Sequence, residues 1–364
     1  MAGNRERHPL FSAAKRILVS LILGANLVTL LLLWACCIST WIDPATHPRV
    51  SVIGLFFPVF LLLNVAFLLI WLLYKPRMLL VPLMGMVFCG GYILDYFPLN
   101  FGGKSGGADL KVMSWNAGYF QGLRPDSFFV GIDYIMNVQA DIVCVQEAQP
   151  SENIMRMLKE RSETEGYHFE RQGTRLLISR YPVLSRGTIE TDTKMGNGIV
   201  YYNLLMENDT VTLLNAHLEC YHLSADEKDE YGDVLHSRDR YKMKSEAEYL
   251  IGRLASSSRY RAKQVQAVNE FLDNLPQGRK VMLCGDFNDT PISYTYQQVK
   301  RHLKNAYRAG GRGVGLSYRE KNFPVRIDHI FYSSDWKCAH AYIDNSTDIS
   351  DHYPIIAELK NWQK

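Results

Sequence analysis

The chain has 364 residues, 47% of them hydrophobic, and a formal net charge of +3. That length accommodates one sizeable catalytic domain with additional segments. Beyond residue 107 the chain holds 32 Lys and Arg against 34 Asp and Glu, a net charge of −2, so it lacks the global basic footprint of a non-specific nucleic-acid binder.

Residues 17–38 form an apolar run without a charge. As a helix of 22 residues it reaches about 33 Å, enough for a hydrocarbon core of about 30 Å. Residues 50–74 form a second such run and 78–95 a shorter third, interrupted by Pro82, Gly85, Gly90 and Gly91. The third is expected to cross, with a re-entrant segment as its alternative. A cleaved signal peptide fits the first run poorly, because the run is long and a second follows. Arg5, Arg7, Lys15 and Arg16 precede the first span and Lys75 and Arg77 follow the second. Positive charge marks the cytoplasmic side, so three spans place everything after residue 95 on the outer, periplasmic or extracellular, side. If the third run does not cross, that side reverses. The interiors of the spans carry no charged residue, which argues for an anchor rather than a transport path.

The expected organisation is a multi-pass membrane region over 1–99, a Gly-rich linker over 100–108, and a catalytic domain over 109–364. In the last, short runs rich in β-branched and aromatic residues predict strands at 110–115, 141–146, 175–179, 198–206, 211–217, 280–285, 325–332 and 353–359. Helices are expected at 126–138, 151–160, 242–256 and 260–275. In the last of these, Val265, Val268, Leu272 and Leu275 recur at helical spacing. The polar stretch 220–260 reads as a surface excursion. Seven scattered cysteines, with no Cys-x-x-Cys, form neither a disulfide framework nor a zinc site.

The strand ends carry the chemistry. The first ends on Asn116 and the second on Gln146-Glu147. Asn215-Ala216-His217 closes another, Asp286 and Asn288 follow Val281–Gly285, Asp328 lies in Arg-Ile-Asp-His, and Asp351-His352 precedes the last strand. One strand-end acid alone is usually a turn cap, and Asp289 before Thr290-Pro291 reads that way. Several together predict an acidic pocket with two histidines, provided the ends meet at one edge. Oxygen donors without a thiolate suit Mg²⁺, or Mn²⁺, rather than zinc. Carboxylates, an amide and imidazoles are the equipment for metal-assisted attack of water on phosphorus.

The blocks VMSWNAG, DIVCVQEA, LLISRYPV, LLNAHLE, GDFNDTP, RIDHIFY and SDHYP, spanning 112–354 in order, resemble the endonuclease/exonuclease/phosphatase superfamily with the deoxyribonuclease-I-like fold. The resemblance implies a four-layer α/β sandwich of two mixed sheets with helices outside and the site at one end. It implies that Glu147 is the principal metal carboxylate, supported by Asn116, with Asp351 a second metal-side acid. It further implies that Asp286 orients or deprotonates water, that Asn288 and His217 contact the phosphate, and that Asp328 orients the catalytic His352. Gly118 stands where some members carry an acid, and Gly173-Thr174-Arg175 where some nucleases carry a glutamate. Both departures put a second metal or acid in doubt.

The expected function is a membrane-anchored, Mg²⁺-dependent hydrolysis of a phosphodiester or phosphomonoester. The substrate is a nucleic acid, a nucleotide or a phospholipid head group, and no protein partner is expected. The alternative is an inactive, membrane-tethered binding module of the same fold. A lipid substrate predicts an exposed apolar patch near the mouth of the site, where Tyr221, Tyr294 and Tyr318 are candidates to flank the cleft.

Overall fold

A computed structural model describes residues 9–101, 107–120, 127–149, 151–194, 197–221, 240–320 and 323–361. Most of the expected linker (102–106), residues 222–239 of the polar excursion, and Arg5 and Arg7 lie outside the described residues.

Two helical segments, Ala13–Ser39 and Pro48–Tyr74, are each 27 residues long and apolar enough to cross a membrane. They pack through a buried amide pair. Asn26 Nδ2 donates to Asn64 Oδ1 at 3.2 Å, and Trp71 Nε1 donates to Asn26 Oδ1 at 3.0 Å. In hydrocarbon such polar groups need partners inside the protein, and here each finds one across the helix pair. The third apolar run is a broken element, Pro76–Phe88 followed by Gly90–Tyr96, bent by 70°. Trp34 Nε1 donates to the carbonyl of Gly85 at 3.0 Å, where any Cβ would collide with Leu30.

Beyond the linker lie two six-stranded sheets. The first contains β1 (Leu110–Asn116), β2 (Ile142–Gln146), β3 (His168–Gln172), β4 (Arg175–Ser179), β11 (Trp336–Ile343) and β12 (Ile355–Asn361), in the order β11-β12-β1-β2-β4-β3. The second contains β5 (Val183–Ile189), β6 (Gly198–Met206), β7 (Asp209–His217), β8 (Lys280–Asp286), β9 (Lys304–Asn305) and β10 (Asp328–Tyr332), in the order β5-β6-β7-β8-β10-β9. Each sheet is mixed: β1 runs parallel to β2 and β7 parallel to β8, while the other pairs are antiparallel.

Three apolar clusters define the layers. Val112, Ile142, Cys144 and Leu177 of the first sheet meet Tyr202, Leu213, Met282 and Ile330 of the second between the sheets. The outer face of the first sheet packs Met113, Val145 and Ile178 against Ile132, Ile135 and Leu158 of helices Ser127–Val138 and Glu152–Thr164. The outer face of the second packs Leu214 and Leu283 against Val265 and Val268 of the helix Arg240–Asp273. The result is the expected four-layer sandwich. Central strands covered on both faces read as continuous apolar runs, which is why their sequences are legible.

The structure corrects several boundaries. The helices expected at 242–256 and 260–275 are one helix, Arg240–Asp273. Ser256-Ser257-Ser258 does not break it, because Ser258 Oγ returns to the Leu254 carbonyl at 2.9 Å and so satisfies its hydroxyl within the helix. The strand expected from 325 begins at Asp328. Residues 326 and 327 precede the ladder, and the Arg326 guanidinium donates to the backbone carbonyls of Val314 and Asp95. Strands β3, β5, β9 and β11 were not expected; all four are sheet edges.

Candidate active site

The two parallel pairs point their carboxyl ends the same way, and the antiparallel β10 and β12 enter from that end. Pairing aligns Asn116 with Gln146 across β1 and β2, and His217 with Asp286 and Asp286 with Asp328 across β7, β8 and β10. The strand-end residues therefore converge on one edge, as the sequence pattern required. Beneath them, Gln146 Nε2 donates to Asn215 Oδ1 at 2.8 Å, and Asn215 Nδ2 donates to the Leu176 carbonyl at 2.9 Å. These buried bonds cross from one sheet to the other and fix the two halves of the site together.

Asp286 is 1% exposed. Its Oδ2 accepts from Asn116 Nδ2 at 2.9 Å and its Oδ1 from the Asn288 backbone N–H at 2.7 Å. Burial and the neighbouring charge of Asp328 push its pKa up to about 7, against the pull of His352 and these hydrogen bonds. His352 Nδ1 lies 2.9 Å from Asp328 Oδ2, while its Nε2 lies 3.8 Å from Asp286 Oδ2. Burial disfavours the imidazolium, but Asp328 and Asp286 outweigh it and raise the His352 pKa to about 10. Tyr318 leans on the imidazole with ring centroids 4.9 Å apart. Of the tyrosines expected to flank the cleft, it is the one in ring contact with His352.

His217 has the opposite state. Burial and the charges of His352 and Arg175 lower its pKa to about 3. Its Nε2 lies 3.5 Å from Glu147 Oε1 and 3.7 Å from Asp286 Oδ2, with no hydrogen-bond partner among the described residues. The pKa of Glu147 is raised by burial, partly offset by a hydrogen bond from Asn116. Glu147 and Asn288 adopt φ of 50° and 48°, a region sparsely used outside glycine and concentrated at functional sites. The side chain of Asn288 is engaged, donating to the Leu218 carbonyl at 3.0 Å. Asp351 is exposed at the rim, 3.4 Å from Ser350 Oγ.

The two departures have local explanations. A Cβ on Gly118 would lie 3.0 Å from Ser350 Oγ and 3.4 Å from Asp351 Oδ1, so the segment 350–351 fills the space that an acid would use. Gly118 also has φ of 50°. In the second, Arg175 brings a buried guanidinium to the site; it donates to the Gly198 carbonyl at 3.2 Å, and its Nε has no partner among the described residues. Sequence reasoning missed Arg175, and its only signal was a charged residue opening an apolar strand. Asp289 is more than a turn residue. Its Oδ2 accepts from Arg261 Nε at 3.2 Å and Thr295 Oγ1 at 2.9 Å, all of them buried.

Several groups fit a divalent cation. Ligand atoms of Asp286, Asp328 and His352 lie within 4.8 Å of one another. In that trio, however, the Nδ1 of His352 is already bonded to Asp328. Glu147 instead offers a carboxylate whose charge is disfavoured by burial, beside the amide of Asn116 and the rim acid Asp351. That oxygen-rich set suits a hard ion.

Two mixed sheets enclosed by helices, with acids, amides and histidines gathered at one end, are the class of fold to which the phosphoesterases matched below belong. A model of the endonuclease/exonuclease/phosphatase family matches residues 113–352, more than half of the chain, and the chain belongs to that family. Its members hydrolyse phosphoester bonds and generally use a divalent metal. Residues 18–96 match a domain of unknown function. The uncharacterized protein YbhP of Escherichia coli K12 is 26% identical over 238 residues, covering 62% of this chain and 86% of that protein. D. rerio TDP2, solved with a single-strand DNA product, aligns with a TM-score of 0.51 and 17% identity over 69% of this chain and 99% of that one. An endonuclease/exonuclease/phosphatase from Bacteroides vulgatus aligns with a TM-score of 0.50 and 16% identity over 69% and 98%. At such identities the solved structures share the fold alone.

Proposed function

We propose that the chain is a membrane-anchored, divalent-metal-dependent phosphoesterase, with residues 1–99 as the anchor and 109–364 as the catalytic domain. The observation that carries this is the buried row His217–Asp286–Asp328 with His352 bonded to Asp328. Asp286, with a pKa of about 7, is matched to taking a proton from an attacking water near neutral pH. His352, held as imidazolium by Asp328, stabilises negative charge developing on the phosphoryl oxygens. The second amide hydrogen of Asn288, with neutral His217, helps orient the phosphate. Glu147, Asn116 and Asp351 would hold Mg²⁺ or Mn²⁺, which supplies charge neutralisation at phosphorus.

The docking of the anchor bears on its topology. Residues 52–57, near the start of the second span, pack against the catalytic domain: Val52 clusters with Leu254, and Phe57 with Ile292. Lys75 and Arg77 lie at the far end of the second span. We read the bent segment Pro76–Tyr96 as a third crossing, because its end, at the carbonyls of Asp95 and Tyr96, is bonded by Arg326 of the catalytic domain. The positive-inside rule puts Lys15, Arg16, Lys75 and Arg77 in the cytoplasm and the domain on the opposite face.

The test is hydrolysis of p-nitrophenyl phosphate and bis(p-nitrophenyl) phosphate by the purified full chain. Turnover is expected to require Mg²⁺ or Mn²⁺ and to fall by about 10²–10⁴-fold in Asp286→Asn. Turnover unchanged in that variant sinks the reading.

A further inference from the structure

We propose that the substrate is a membrane lipid bearing a phosphoester head group, in the leaflet on the catalytic domain's side; this rests on the phosphoesterase reading above.

Three segments that carry site residues each dock onto the membrane region. After Asp286 and Asn288 the chain reaches Ile292, which is 1% exposed and belongs to one apolar cluster with Leu30, Leu33, Cys36, Phe57 and Cys89 of the membrane helices. Gly54 approaches so closely that any Cβ would collide with the Ile292 carbonyl. After His217 the chain reaches Tyr221, which packs with Val52, Leu55 and Leu254. Before Asp328 stands Arg326, whose guanidinium donates to the carbonyls of Asp95 and Tyr96 at the end of the bent segment. The Asp95 carboxylate, fully buried, accepts from Arg308 Nη1 at 2.9 Å, from Gln297 Nε2 at 3.1 Å and from Lys300 Nζ. The seam is apolar at two of these points and ionic at the third.

Its depth follows from helix length. The helical segment Ala13–Ser39, 27 residues long, rises about 40 Å, matching a bilayer with its head-group regions at about 40–45 Å. Ser39, the end nearest the domain, therefore lies at head-group level, with Gly54 beside it: a Cβ there would lie 3.5 Å from Ser39 Oγ. Ile292, packed in the same cluster as Cys36 and Cys37, lies within a turn or so of Ser39 along that span. From Ile292 to Asp286 is six residues, at most about 20 Å of chain, and from Arg326 to Asp328 is two, at most about 7 Å. The site is thus tethered at three points within a short reach of the head groups. Trp41, at 71% exposure, and Phe56, at 50%, present apolar surface at the same level, where aromatic side chains favour the interface.

Charge favours lipid over nucleic acid. Duplex DNA carries one negative charge per about 1.7 Å, and its capture depends on cationic surface. The chain beyond residue 107 has a net charge of −2 and is held beside a bilayer. A lipid phosphate needs no long-range capture, because sharing a membrane with the enzyme supplies a high effective concentration.

The full chain would be reconstituted with Mg²⁺ in vesicles of phosphatidylethanolamine, phosphatidylglycerol and phosphatidic acid. Bis(p-nitrophenyl) phosphate, p-nitrophenyl phosphate and a single-stranded oligonucleotide would be supplied in the bath. Water-soluble phosphorus is expected to leave the vesicles about 100-fold faster than with Asp286→Asn. Chelation of the wild-type protein serves as a control that does not depend on the variant's folding. Hydrolysis of a bath substrate with the lipids intact overturns the lipid assignment while the phosphoesterase reading stands. Silence on every substrate removes the phosphoesterase reading, and this inference with it.

Discussion

Asp328→Asn isolates the acid–imidazole pair. The carboxylate sits 2.9 Å from His352 Nδ1, both residues are buried, and together with Asp286 it raises His352 from an ordinary 6.5 to about 10. Because the folded pKa is the higher one, the stability linked to this proton is fully present below about pH 6.5 and is lost as pH rises through about 10. In the variant, burial is opposed by Asp286 and Asp351 without Asp328, so the His352 pKa falls. Its ring signal in proton NMR, flat between about pH 5.5 and 8.5 in the wild type, is expected to titrate inside that window. Breaking one side of a buried ion pair costs about 3–5 kcal/mol. At about 2–4 °C per kcal/mol for a domain of this size, the melting temperature falls by about 6–20 °C. Phosphoester turnover is expected to drop by about 10²–10⁴-fold, with its alkaline limb moved toward neutrality. A His352 ring that keeps its imidazolium shift across the window in Asp328→Asn would refute the assignment of its charge to Asp328.

Asp95→Asn removes the acceptor charge shared by Lys300 and Arg308. A loss of about 3–5 kcal/mol is expected, read as increased protease sensitivity at the seam; no change would show that the ionic contact does not hold the anchor. Asn215→Leu leaves Gln146 and the Leu176 carbonyl without their cross-sheet partner. At about 1–3 kcal/mol per orphaned group, chemical denaturation should show a loss of about 2–6 kcal/mol. Gly118→Asp should lower stability and leave turnover no higher, because Ser350 and Asp351 crowd the position and its φ is 50°; a gain in hydrolysis would mean that the acid is accommodated.

The sequence by itself determined the central strands and their polar ends. Strands buried on both faces must be apolar throughout, so a carboxylate, amide or imidazole at the end of such a run stands out. Asn116, Glu147, His217, Asp286, Asp328 and His352 were legible for that reason. Their meeting at one edge was conditional until the pairing aligned His217, Asp286 and Asp328. The four unexpected strands are edge strands; β5, for example, is mostly exposed. With one side open to water, the apolar pattern that marks a strand is not required. The break expected between 256 and 260 does not occur; Ser258 returns its hydroxyl to the Leu254 carbonyl, a bond that only the folded chain shows.

Tertiary structure alone decided which distant polar residues became partners. Arg175 on the Gly198 carbonyl, Arg261 with Asp289, and Asn215 between the sheets are ordinary residues in sequence. Their significance comes from burial, which makes each unpaired charge or amide costly and therefore selects a specific partner. The same is true of Asp95, a lone acid at the end of an apolar run whose partners lie more than 200 residues away. Local composition determines how a segment buries its surface. Which charges meet across the fold depends on long-range geometry that no local pattern encodes.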